Sequence, residues 1–241
     1  MRLPYQSVFM RYELKYLITL QQKEILLREM DPYMALDAYG RTTIRNIYFD
    51  TDNYRLIRRS IEKPVYKEKL RIRSYRRTAP DEPVFVELKK KYKSVVYKRR
   101  ISMPESQALS WIAGETSSGT DTQISREIDY FLQHYETLKP KVFLSYDREA
   151  YYSKDHSDFR VTFDDRILCR FSDISLESEV GGYPLLKPDQ VLMEIKTSGG
   201  IPLCMTKILT REKIFKTPFS KYGTAYQNYI YPELKRGNIH D

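Results

Sequence analysis

Lys67-Glu68-Lys69-Leu70-Arg71-Ile72-Arg73-Ser74-Tyr75 is the stretch whose reading decides the fold. Taken with a period of two, it places Lys67, Lys69, Arg71 and Arg73 on one face and Leu70 and Ile72 on the other. Side chains of a strand point alternately to opposite sides, so this segment presents a row of cations backed by apolar residues. A single strand of this kind is usually a solvated sheet face. Here the device recurs: Glu13 and Lys15, Glu87, Lys89 and Lys91, Lys98 and Arg100, Tyr146 and Arg148, Arg160, Thr162 and Asp164, and Glu194 and Lys196 all alternate with apolar neighbours.

The opposite faces are strongly apolar: Val84, Val86 and Leu88, Val161 and Phe163, and Val191, Met193 and Ile195. Such faces need cover. Four helix-like segments can supply it, at 19–30, 104–112, 124–135 and 202–213. Thr19 with Gln22 has the spacing of a capping box, and Ser102 with Glu105, ahead of a first turn at Pro104, has the same signature. The pattern predicts an α+β fold, an antiparallel β-barrel, closed or nearly closed, that forms a polar tunnel with helices packed outside. No internal repeat or linker interrupts it, so residues 1–241 read as a single domain.

Of 241 residues, 41 are Lys or Arg and 32 are Asp or Glu, a formal net charge of +9. That excess calls for a polyanionic partner. The cations lie inside strand patterns and not in a low-complexity tail, which favours a shaped anion site over a nucleic-acid arm. A closed lumen does not admit a duplex, so no nucleic-acid partner is expected. Cys169 and Cys204 are isolated and no secretory signal is evident, which predicts a reduced, cytoplasmic setting. The sequence has no apolar run long enough to span a membrane. It lacks a P-loop, and His134, His156 and His240 have no ligand-like neighbours that would read as a zinc site.

Arg11-Tyr12-Glu13-Leu14-Lys15-Tyr16, Leu70-Arg71-Ile72-Arg73, Val86-Glu87-Leu88-Lys89, Tyr146-Asp147-Arg148, Met193-Glu194-Ile195-Lys196 and Ser220-Lys221-Tyr222 follow one another in the order found in the VTC domain. The chain therefore resembles this polyphosphate polymerase branch of the triphosphate tunnel metalloenzyme superfamily, from about Val8 to Tyr231. Glu13-Leu14-Lys15 is also similar to the tail of the superfamily's Glu-x-Glu-x-Lys signature, with Arg11 in place of the first glutamate. That departure is typical of the VTC branch and argues against the tripolyphosphatase and cyclase branches.

The resemblance implies a metal-dependent enzyme that passes the γ-phosphoryl of ATP to a growing inorganic polyphosphate chain. It implies Lys15, Arg71, Arg73, Lys89, Arg148 and Lys196 as the catalytic phosphate-holding set. Lys98, Arg100, Tyr146 and Lys221 would bind substrate, and Glu194 would hold Mn²⁺ or Mg²⁺. Asp164 would be a second metal ligand or an ion-pair partner. Eukaryotic relatives join this domain to a regulatory domain and membrane helices, so any membrane partner is expected to act in trans. Two alternatives stay open: a hydrolase of short polyphosphates or nucleoside triphosphates, and a non-catalytic polyphosphate-binding module.

Overall fold

The computed structural model describes residues 12–237 except Ser94 and His156. Arg11, His156 and His240 therefore lie outside the described residues. In chain order the elements are β1 (Tyr12–Thr19), α1 (Leu20–Met30), β2 (Met34–Leu36), β3 (Thr42–Asp50), α2 (Arg55–Ile61), β4 (Tyr66–Ser74), β5 (Pro83–Tyr92) and β6 (Val95–Pro104). There follow α3 (Glu105–Ile112), α4 (Gln123–Tyr135), β7 (Lys139–Ser153), β8 (Arg160–Arg170), β9 (Tyr183–Pro184), β10 (Gln190–Thr197) and α5 (Leu203–Arg211). The chain closes with α6 (Lys221–Ala225), a π-helical turn (Tyr226–Ile230) and α7 (Tyr231–Gly237).

Ten strands form one antiparallel sheet. Its main path is β1-β10-β8-β7-β3-β4-β5-β6, with β2 beside β7 and β9 beside β8. The cationic strand β4 pairs β3 and β5, so that Arg71 faces Glu87 and Lys69 faces Lys89 in register. Glu13 on β1, at one end of the path, meets Lys89 on β5, next to the other end, at 2.8 Å. The sheet therefore curls until its two ends face each other, with the charged faces inside.

The expected barrel closure does not occur: β1 and β6 form no ladder among the described residues. The free edge of β1 is occupied by the chain that leaves α5. The Thr217 backbone N–H donates to the Lys15 carbonyl at 2.7 Å, and Tyr16 bridges Lys216. That segment pairs with the middle of the β1 edge.

Two apolar patches cover the outer face. Ile72, Val84, Val86 and Leu88 pack with Trp111 of α3 and Ile128 and Phe131 of α4. Val161, Phe163, Val191, Met193 and Ile195 pack with Leu26 and Met30 of α1 and Met205 and Ile208 of α5. A third patch lies on the inner face. There Tyr222, Ala225, Tyr226 and Ile230 sit on Ile44, Tyr48, Leu144, Tyr146 and Leu192. The C-terminal helices thus fill part of the interior and do not wrap the outside. The lumen is polar over only part of its length.

Local chemistry explains the ends of the elements. Thr19 and Gln22 form the expected capping box of α1. Ser102 does not cap α3. It remains in β6, Pro104 holds the cap position without a side-chain bond, and the Glu105 carboxylate is taken by the Thr78 hydroxyl. Proline has no N–H and no polar side chain, so the turn is set by its fixed φ alone.

Candidate phosphate-binding site

The inner face carries two acidic centres under a common layer of cations. The first is Glu87 on β5, 1% exposed. Arg71 donates to its Oε2 from both Nε (2.9 Å) and Nη2 (2.7 Å). Arg100 Nε donates to Oε1 at 2.7 Å, Lys98 Nζ lies 2.7 Å from the same oxygen, and Arg73 Nε stands 3.8 Å from Oε2. Burial alone would raise the Glu87 pKa. Arg73, Arg71, Lys98 and Arg100 outweigh it and hold this carboxyl well below its ordinary value. Neutral hydrogen-bond partners steer the guanidinium groups: Arg71 Nη1 donates to the Tyr48 hydroxyl at 2.9 Å, and Arg73 donates to Asn46 Oδ1 and to the Tyr146 hydroxyl. One carboxylate thus orders four cations and cannot neutralise them.

The second centre is the pair Asp164 and Glu194, on neighbouring strands β8 and β10. Arg148 grips both oxygens of Asp164, with Nε at 2.5 Å and Nη2 at 2.6 Å. Lys221 Nζ donates to Asp164 Oδ2 at 2.5 Å. Glu194 is held far more loosely: Lys15, Lys196, Arg148 and Lys221 all lie between 3.4 and 3.7 Å from its oxygens. Burial pushes both carboxyls up, but the surrounding cations pull them down, so both stay ionised. Thr162 lies opposite Glu194 in the β10–β8 register, and its buried hydroxyl has no hydrogen-bond partner.

Between the centres, Lys69 Nζ donates to the Ser220 hydroxyl at 2.9 Å and Lys15 Nζ donates to the Phe219 carbonyl at 2.9 Å. Burial, reinforced by Lys15, Lys67, Lys89 and Arg71, brings the Lys69 pKa down to about 7. Lys196 is likewise brought to about 7, first by burial and then by Arg148. Lys89 pairs with Glu13, whose own pKa is brought to about 2 chiefly by Lys89. Lys221 reaches the lumen because Tyr222 anchors α6, donating its hydroxyl proton to Asp50 at 2.9 Å and stacking on Tyr48 at 5.0 Å. Asp50 in turn accepts the backbone N–H groups of Leu56 and Ile57 at the start of α2.

All the cations singled out from the sequence face this interior, contributed by β1, β4, β5, β6, β7, β10 and α6. Tyr146 lies beneath Arg148 and Lys221, whose charges stand 5.1 and 4.5 Å from its ring centroid. Sequence reasoning left Lys69 and Glu87 out of the candidate set. Lys69 was signalled by its place in the same alternating row, and Glu87 by its alternation with Lys89 and Lys91. Glu13 takes Lys89 as its partner.

Among the described residues, no three His, Cys, Asp or Glu side chains are arranged to hold a metal ion. The donor chemistry nevertheless fits a hard divalent cation shared with a ligand. Glu194 offers loosely engaged carboxylate oxygens beside an unpartnered hydroxyl, whereas Asp164 is saturated by Arg148 and Lys221.

Comparison with known proteins agrees with this architecture. A structure from Bacillus halodurans that carries a provisional adenylate cyclase assignment superposes with a TM-score of 0.57 at 16% identity, covering 93% of this chain and 99% of that one. A Vibrio parahaemolyticus structure of the same provisional assignment gives 0.48 at 9% identity, with coverages of 90% and 98%. The PH1819 protein of Pyrococcus horikoshii gives 0.44 at 12% identity, covering 90% and 99%. At 16% identity the first likeness is one of fold alone. Curated proteins gave no match. The family model of the VTC domain matches residues 10–230, nearly the whole chain, and the protein belongs to that family.

Proposed function

We propose that this protein is a metal-dependent polyphosphate polymerase that transfers the γ-phosphoryl group of ATP to a growing inorganic polyphosphate chain. One observation carries the reading: cations from seven elements converge on one interior surface, and the carboxylates among them are too few to neutralise it. Such a surface has a large unmet demand for anionic oxygen. Phosphoryl transfer needs positioning and charge neutralisation more than covalent help, and this inventory supplies both.

The roles divide by geometry. Arg71, Arg73 and Arg100, preset by Glu87, offer planar forks that match phosphate oxygens. Lys15, Lys69, Lys89, Lys98 and Lys196 add point charges that adjust to successive phosphates. Arg148 and Lys221 are held in place by Asp164, which acts here as their ion-pair partner. Glu194 would hold Mn²⁺ or Mg²⁺ together with phosphate oxygens, and the bound metal would neutralise charge developing on the transferred group. Tyr146 orders Arg148 and Arg73. The polar stretch of the lumen would give a polymer a path along the cations.

Incubation with ATP and Mn²⁺ or Mg²⁺, with the products resolved on a gel, tests the reading. Long polyphosphate chains are expected. Free phosphate alone would replace the polymerase with a triphosphatase, and no turnover with either metal would leave a binding module.

A further inference from the structure

The two ends of the charged surface differ in chemistry. At one end the inner-face positions of β4 and β5 are Lys67 and Lys91, and Lys67 lies in the field of Lys91, Lys15, Lys63 and Lys89. On these two strands the inner-face side chains there are both amines. At the other end Phe85 lies opposite Arg73 in the β4–β5 register, and Tyr75 follows directly on the end of β4. Tyr75 and Phe85 meet edge to face with centroids 5.9 Å apart. Arg100 lies over Phe85 at 4.3 Å and donates to the Tyr75 hydroxyl at 3.0 Å. Across the lumen Tyr152 and Arg160 pair in the β7–β8 register, and the Arg160 guanidinium lies 4.5 Å above the Tyr152 ring. Arg160 Nε is buried without a hydrogen-bond partner, and its charge is felt from Tyr75, Tyr152, Arg148 and Asp37.

Tyr75 is 41% exposed and Tyr152 is 43% exposed. Partly exposed aromatic rings beside Arg100 and Arg160 add little to the binding of a string of phosphates, which has no π-face. They suit a planar, hydrogen-bonding ring system attached to phosphates, because aromatic and guanidinium planes stack on nucleobases of any sequence.

We infer that Tyr75, Tyr152 and Arg160 form a nucleoside subsite at this end, which stacks the base of a nucleoside triphosphate and aims its phosphates toward Arg73 and Arg148. This rests on the polymerase reading, and it fixes the direction of the substrate: base at the aromatic end, polyphosphate toward the lysine end. Stacking also predicts tolerance among bases, since every base presents a π-face.

Calorimetric titration with ATP and, separately, inorganic tripolyphosphate, both in EDTA to prevent turnover, tests the subsite. Tyr75→Ala with Tyr152→Ala is expected to weaken ATP binding at least ~10-fold and to leave tripolyphosphate within about 2-fold, the loss anticipated for one stacked base. Tyr75→Phe with Tyr152→Phe keeps both rings and is expected to keep ATP affinity. Equal losses for the two ligands, no change for either, or loss of ATP affinity in the phenylalanine pair would overturn the subsite alone. An unsubstituted protein that binds neither ligand would overturn the polymerase reading and the subsite together.

Discussion

Glu87 and the Asp164–Glu194 pair lie buried beneath the same layer of cations, yet their contacts differ. Glu87 is a single carboxylate gripped by Arg71, Arg100 and Lys98 at 2.7 to 2.9 Å. At the second centre one carboxylate is equally saturated, whereas Glu194 keeps its four cations at 3.4 to 3.7 Å. The contrast separates two duties. A tightly forked carboxylate freezes guanidinium groups in place and leaves their remaining N–H donors for a ligand. A loosely held one can exchange its cations for another partner. On the proposed function, Glu87 would position the arginines for phosphate, and Glu194 would be the group that takes a metal.

The comparison breaks most visibly if the arginines do not bind phosphate. Replacing Arg71 and Arg73 together by Ala is expected to weaken tripolyphosphate binding by about 3–6 kcal/mol, the sum for two charge-assisted contacts. Calorimetry in EDTA reads this directly, and unchanged affinity would place no ligand on that face. Glu87→Gln leaves the buried Arg73 and the partly buried Arg71, Lys98 and Arg100 uncompensated and should cost about 3–5 kcal/mol of stability. Chemical denaturation checks the size. Saturating tripolyphosphate should recover part of the loss, because it restores the missing negative charge.

Glu194→Gln sharpens the contrast from the other side. Turnover should fall at least ~100-fold, as removal of a metal ligand implies, while tripolyphosphate affinity measured without metal changes only a few-fold. Activity equal to that of the unsubstituted protein would remove the metal assignment.

The smallest effect concerns pH. Lys69 has no carboxylate in its own contacts, and its pKa is brought to about 7, below the value of an exposed lysine. Its charge, and with it affinity for a polyanion, is present below pH 7 and is lost as the pH rises through 7. Tripolyphosphate should therefore bind up to ~10-fold more tightly at pH 6 than at pH 8. Lys69→Met should flatten that part of the profile. The same shift acts oppositely on the unliganded fold. The unfolded chain binds this proton more tightly, so stability should rise from pH 7 towards the ordinary lysine value.

Much of this was legible in the sequence because a strand's period of two converts spacing directly into faces. In β4 the odd-numbered residues Lys67 to Arg73 face the interior and Leu70 and Ile72 the helices, as alternation requires. The opposite side of β5 follows the same rule. What alternation does not encode is where the sheet ends meet. Among the described residues β1 and β6 form no ladder, and Lys216 and Thr217, from a segment with no strand pattern, pair with Tyr16 and Lys15 on the edge of β1. The inner apolar patch was also hidden. Ile44, Leu144 and Leu192 share a face with charged residues in their own strands, and only the docking of Tyr222 and Tyr226 explains them. At β8 the register shifts opposite Ser145 and Asp147, with Arg166 at positive φ, so that Ile167 and Cys169 turn inward where simple alternation puts Asp165 outward. The three-residue β2 and two-residue β9 are too short to leave any period.

Anomalous diffraction from crystals grown with Mn²⁺ and tripolyphosphate tests the division between the two centres most directly. The expected result is a manganese peak coordinated by Glu194 and phosphate oxygens, with the phosphate chain running from there to Arg71 and Arg73 and no metal beside Glu87. A peak at Glu87, or a ligand bound outside the curled face of the sheet, would contradict it.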